Sequence, residues 1–275
     1  MTKQIQSAKN WFIATTIALS LIINSMRAKE PLVEQKFRPV SLDSLKSKVL
    51  IIEENDRVYT VRDELAKSLP ALGSIGYGRM YFELLSPKAQ NLVDDYLASG
   101  SDTVRPALNT ALYLASREKE DEKNEKSHSA GRLLAAAKAV RWSFQGIYFD
   151  TTSLGVPEYI TVRDSIYAHE IWEQYGKDSV RIVLDIGGLH GAGIEANLAK
   201  LGIEAKRLFT WDYSLSAERS IGCRNANYLS QAYFENYVDP VVDANLPPGL
   251  YQTGDFAHVS YVWIVRSKGN ETGEK

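Results

Sequence analysis

Four side chains carry most of the chemistry this sequence can offer: Glu53, Glu83, Arg163 and His190. His190 stands in the glycine loop GGLHGAG, residues 187–193, directly after an apolar run rich in β-branched residues. An imidazole at such a strand end can move a proton or ligate a metal. The plainer alternative is a histidine that shapes a tight turn. Glu53 closes the run VLII, and Glu83 lies inside the run MYFELL. A carboxylate in an apolar strand is costly unless it is paired or sits at the rim of a sheet. Brought beside His190 by a parallel sheet, Glu53 and Glu83 can act as a general base, or join His190 around a divalent metal. A close carboxylate pair raises the pKa of one member, which suits a base. Arg163, followed by Asp164, is a cation for an anionic group. Glu53 also opens the run Glu53–Glu54–Asn55–Asp56, whose simplest reading is a solvated turn.

The other histidines are weaker candidates. His169 lies beside Glu170 in a helical stretch and reads as surface. His128 borders a charged segment and reads as exposed. His258 precedes the last strand and can reach the same sheet edge. There is no HExxH, CxxC or GxSxG motif. The glycine loop departs from both GxGxxG and GxxxxGK[ST], which argues against a dinucleotide or phosphate site. The single cysteine, Cys223, excludes an internal disulfide and a cysteine-rich metal site.

The elements that must position these groups alternate. Residues 49–52 read as a compact strand and 61–72 as a helix, with Pro70 disturbing its end. A strand over 80–85 carries Glu83, and Ser86–Pro87 opens a helix over 88–97. Residues 117–127, REKEDEKNEKS, read as a solvated helix end or loop, and 131–140 as an alanine-rich helix. Strand 142–148, helix 159–175 and strand 180–186 follow. The glycine turn then opens a helix that Gly202 can stop. Residues 208–211 and 260–266 read as further strands, and 228–238 as a helix or irregular segment. This rhythm predicts an α/β fold: a mainly parallel central sheet with helices on both faces. Ligands of such sheets bind outside the carboxyl ends of the strands.

The 275 residues, 44% of them hydrophobic, are enough for one large core. A formal net charge of -2 supplies no field to gather nucleic acid. Lys3 and Lys9 precede an apolar run over 11–23, with Arg27 and Lys29 after it. Residues 1–28 therefore read as a signal peptide or membrane anchor, and a buried apolar helix is the alternative. Residues 29–268 form the α/β domain, and 269–275 a tail without core residues.

The order of segments resembles the ChaN-like, erythromycin-esterase-like and TraB/Tiki-like superfamily. VLIIEEND holds the place of the family's opening strand and keeps Glu53 and Asp56. MYFELLSPKAQNLVDDYLASG resembles the glutamate-bearing strand and helix, with Glu83 matching. VRDSIYAHEIW is similar to the arginine–aspartate helix, giving Arg163 and Asp164. RIVLDIGGLHGAGI is similar to the second histidine strand, giving His190. The resemblance implies hydrolysis of an ester or peptide bond, in some members with a metal, and haem binding at an outer surface in others. The first motif has Ile52 in place of glycine and Asn55 in place of its histidine. Asparagine is no general base and a poor zinc ligand. The expectation is therefore a divergent, exported or membrane-anchored binding or assembly protein that has lost turnover. The alternative is a metal-dependent or acid–base hydrolase using Glu53, Glu83 and His190, with Arg163 steadying the developing anion. A divalent metal and haem are the cofactors implied, and a small molecule, haem or a protein the partner. The periplasm or a membrane is the expected location, with the cytoplasm as the alternative.

Overall fold

The computed structural model describes residues 37–54, 59–83, 85, 89–99, 120–147, 156–175, 179–187, 190–212, 246–253 and 261–265. They belong to one compact unit, Phe37–Lys275. In chain order they form strand β1 (Arg38–Pro39), a short 3-10 turn (Leu42–Leu45), β2 (Val49–Glu54) and helix α1 (Tyr59–Ser74). Next come β3 (Tyr77–Phe82), α2 (Gln90–Ser99), α3 (Glu120–Ala139), β4 (Ser143–Gly146) and α4 (Val156–Tyr175). The series closes with β5 (Arg181–Gly187), α5 (Gly191–Lys200), β6 (Ala205–Asp212), β7 (Gly249–Gln252) and β8 (Tyr261–Val265).

One sheet runs in the order β1-β7-β8-β6-β2-β5-β3-β4. From β8 to β4 every pairing is parallel. The β7–β8 and β1–β7 pairings are antiparallel and form one edge. Side chains alternate across the central strands, so each strand feeds two cores. On one face Leu50, Ile52, Met80, Phe82 and Val183 pack against Val61, Leu65 and Leu69 of α1 and Leu133 of α3. On the other, Val49, Ile51, Tyr81, Leu184 and Ile186 pack against Tyr167 and Ile171 of α4 and Ile194 and Leu198 of α5. Burial on both faces explains the unbroken apolar runs of β2 and β5.

Register places the site. Ile52 and Phe82 both lie opposite Asp185, and Glu54 lies opposite Gly187. The carboxyl ends of β2, β5 and β3 therefore stand side by side, with Glu54 closing β2, Glu83 just beyond β3 and Asp185 two residues before the end of β5.

Several expectations change in detail. Glu53 and Glu54 do not sit in a solvated turn: both are strand residues and both are buried. Each has an arginine across the fold, which offsets part of the cost that argued against burial. β3 ends at Phe82, so Glu83 lies just beyond the strand rather than inside it. α1 runs through Pro70 to Ser74, with the ring on an exposed position. α3 begins at Glu120, so part of the charged run is helical. The short antiparallel strands β1 and β7 carry no periodicity long enough to read.

Residues 1–28 with their apolar run, Asn55 and Asp56, Ser86–Pro87, Cys223, 228–238, His258 and 269–275 lie outside the described residues, as does the side chain of His128. Among the described residues no helix is long and apolar enough to cross a membrane.

Candidate functional site

The loop between β5 and α5 delivers His190 as the residue before the helix, with its backbone N–H bonded to the Gly187 carbonyl at 3.1 Å. Two glycines in the first turn of α5 explain the local composition. A Cβ at Gly191 would overlap the Glu53 carboxylate, and one at Gly193 would overlap that of Asp164. The glycines let two acids lie against the amino end of a helix, where its dipole favours negative charge.

α4 supplies the opposite wall. Arg163, Asp164 and Tyr167 fall on its buried side. His190 Nδ1 lies 2.6 Å from Asp164 Oδ1, and His190 Nε2 lies 3.8 Å from Glu83 Oε1. Arg163 Nη2 donates to Glu83 Oε1 at 2.5 Å, and the Gly187 N–H donates to Glu83 Oε2 at 2.7 Å. Arg163 Nε donates to the Tyr167 hydroxyl at 2.9 Å, and the guanidinium carbon stands 5.1 Å from that ring's centre. The Tyr167 ring meets the His190 imidazole edge-on at 6.1 Å. Two strand ends, of β3 and β5, and two helices thus converge on an Asp164–His190–Glu83–Arg163 quartet. Its most open member is Glu83, whose side chain is 13% exposed against 6% for His190.

Burial pushes the Asp164 carboxyl above its ordinary value. The hydrogen bond to His190, and then the charges of His190 and Arg163, pull it back down. A carboxylate on Nδ1 fixes the imidazole and leaves Nε2 to exchange a proton with a third group.

Glu53 is handled separately. Both its oxygens accept from Arg207 Nη2, at 2.8 and 3.0 Å, and Thr210 Oγ1 donates to its backbone carbonyl at 2.7 Å. Burial raises its pKa even so, with the Arg207 charge opposing. A third set lies on the opposite face of the sheet. Arg62 of α1 bonds to Glu54 and donates to Ser129 Oγ of α3 at 3.4 Å, and Asp185 faces this pair from β5.

Of the predicted residues, the structure gathers Glu83, Arg163 and His190, and gives Glu53 to Arg207. A divalent metal does not fit the trio proposed for it. Glu53 is committed to Arg207, Glu83 to Arg163 and the Gly187 amide, and His190 Nδ1 to Asp164. Among the described residues no group of three His, Cys, Asp or Glu could hold a metal ion. Haem does not fit His190 either, because the ring is buried. The exposed His169 stacks on Trp172 at 5.4 Å and pairs with Glu173.

Glu54, Arg62, Tyr167, Asp185 and Arg207 escaped the sequence reading. Two left a signal. Asp185 interrupts the apolar run VLDIG, and Arg62 precedes Leu65 and Leu69 by three and seven residues on the apolar side of α1.

An α/β unit with a mainly parallel sheet and a buried cluster of charged side chains at its strand ends is the class this chain defines. No family profile and no curated protein sequence matches it. Among solved structures, the fold is similar to that of the type III effector HopBA1, with a TM-score of 0.55 at 8% identity over 86% of this chain and 99% of that one. Lower-scoring similarities include ChaN of Campylobacter jejuni, described as binding haem cofacially, with a TM-score of 0.43 at 12% identity over 62% of this chain and 84% of that one. They also include RRSP, a MARTX toxin effector domain from Vibrio vulnificus, with a TM-score of 0.43 at 19% identity over 62% of this chain and 36% of that one. Superpositions at that level carry no argument about the site.

Proposed function

We propose that the chain is an acid–base hydrolase in which His190 transfers the proton, Asp164 anchors its ring and Glu83 orients the water or substrate beside it. One observation carries the reading: His190 Nδ1 is anchored on Asp164 at 2.6 Å while Nε2 faces Glu83. The neutral imidazole donates its Nδ1 proton to Asp164, which leaves the Nε2 lone pair as the base. Glu83, fixed by Arg163 and the Gly187 amide, orients water or substrate beside that nitrogen. As water attacks an acyl carbon, its proton passes to Nε2, and the imidazolium stabilised by Asp164 returns it to the leaving group.

The test is turnover on a panel of ester and amide substrates. His190→Ala and Glu83→Gln, each folded by circular dichroism, should lower kcat/KM by on the order of 10²–10⁴. Turnover unchanged in both variants would falsify the reading.

A second reading, a binding or assembly protein without turnover, is favoured by the low exposure of Arg163, Asp164 and His190, at 2%, 4% and 5%. Every charge in the quartet also has a partner. No hydrolysis across the panel, with a tight complex that survives His190→Ala, would establish it. Export or membrane attachment through residues 11–23 belongs with that reading. Fractionating cells that make the chain with and without residues 1–28 tests it.

A further inference from the structure

Beneath the quartet, on the other face of the sheet, lies a group that neither reading uses. Asp185 is 1% exposed, no donor among the described residues reaches either of its carboxyl oxygens, and the side chain it can bond, once a proton lies between them, is the Glu54 carboxyl. A bare carboxylate in such a place is expensive, and the usual escape is to keep the proton. The charged groups that face it come from three elements. Glu54 of β2 and Glu83, just past β3, are negative, and Arg62 of α1 is positive. Among the described side chains of α3, the neutral Ser129 bonds to Arg62. Arg62 is already spent on Glu54. Ionised, Asp185 would be one buried negative charge too many.

We propose that Asp185 carries a proton at neutral pH, shared with Glu54, and acts as a positioning residue beneath the catalytic quartet. The connection to Glu83 is short. The Glu83 N–H donates to the Asp185 carbonyl at 3.1 Å, and two residues along the same strand the Gly187 N–H donates to the Glu83 side chain. A neutral Asp185 lets Glu83 lean on this strand end, whereas an anionic one would repel it and compete for Arg62. Burial first, then the Glu54 charge, raises the Asp185 pKa well above its ordinary value, in agreement with the geometry.

The proton itself can be observed without a substrate. The effect on Glu83 rests on the acid–base reading and is measured separately. Infrared spectra of the full chain at neutral pH should show the carbonyl band of a protonated carboxylic acid. Asp185→Asn, which replaces the acid by a neutral group of the same shape, should abolish that band and keep the fold. Glu54→Gln should shift the band, because it changes the partner that shares the proton. Asp185→Ala serves as the contrasting variant: it removes the side chain and should cost stability that Asp185→Asn preserves. A wild-type protein without the band, or a band untouched by Asp185→Asn, overturns the proposal.

If His190→Ala leaves turnover intact, the hydrolase reading fails and the shared proton stands. If turnover depends on His190, wild-type turnover should decline at alkaline pH as the pair loses its proton, and Asp185→Asn should lack that decline; a wild type without the decline removes the positioning role. A decline of equal size in both proteins removes the positioning role.

Discussion

The arginines decide which acids can do chemistry. Arg207 holds both oxygens of Glu53, so removing it strands a carboxylate that is 1% exposed. Arg207→Met should destabilise the fold by about 3–5 kcal/mol in urea titrations near neutral pH. The loss should shrink in acid, because Glu53 then takes a proton, and Glu53→Gln added to Arg207→Met should recover part of it. A loss independent of pH would mean that Arg207 acts through packing alone. Asp164 offers a sharper contrast within the quartet. Asp164→Asn keeps the shape beside His190 but removes the charge that stabilises an imidazolium, and it permits the wrong tautomer. It should lower kcat by on the order of 10²–10⁴ with little change in KM. An equal fall confined to KM would assign Asp164 to substrate binding. Glu83 and His190 could be singled out because each lies near a strand end that the sequence displays, and Arg163 and Asp164 because they match the arginine–aspartate helix of the resemblance. Arg207 and Glu53 could not be paired in this way. They are 154 residues apart, and only the β2–β6 register brings them together.

Among the elements, the first turn of α5 is the tightest constraint. Read from composition, GGLHGAG is a glycine-rich turn whose spacing argues against a phosphate site and does not say what the glycines are for. In the fold its glycines make room for protein carboxylates. Gly193→Ala drives a methyl group into Asp164 and should cost roughly 1–3 kcal/mol, the range of an overpacked site. It should also damage turnover more than stability, because Asp164 must move away from His190. Ala192→Gly, one residue back on the exposed side of the same turn, is the control: it should cost no more than about 1 kcal/mol and spare turnover. Equal effects of the two would mean that the turn is sensitive only to helix propensity. The central strands and the helices α1, α4 and α5 were legible because each carries a long apolar pattern. β1 and β7 were not, since two and four residues at an antiparallel edge leave no period to read. Glu53 and Glu54 misled for a related reason. A run of acids after an apolar strand looks solvated, and burial became affordable only through arginines on elements far away in the chain.

Across the whole molecule, the buried acids share one direction. Glu53, Asp164 and Asp185 all have pKa values raised above their ordinary 4.5, 3.8 and 3.8, with burial the largest cause in each. The folded chain therefore holds more protons than the unfolded one at pH values above those ordinary ones and up to the raised ones. By linkage, stability falls as pH rises through that window and recovers as pH is lowered. This opposes the common pattern, in which carboxylates stabilised by ion pairs make acid destabilising. Urea midpoints should accordingly climb as the pH is lowered from the raised values toward the ordinary carboxylate range, and the slope should report net proton uptake on folding. Asp185→Asn should flatten the slope most, because Asp185 lies farthest from its ordinary value of the three. A midpoint that rises with pH across this range would show that the exposed ion pairs, such as Arg132–Asp63, outweigh the interior.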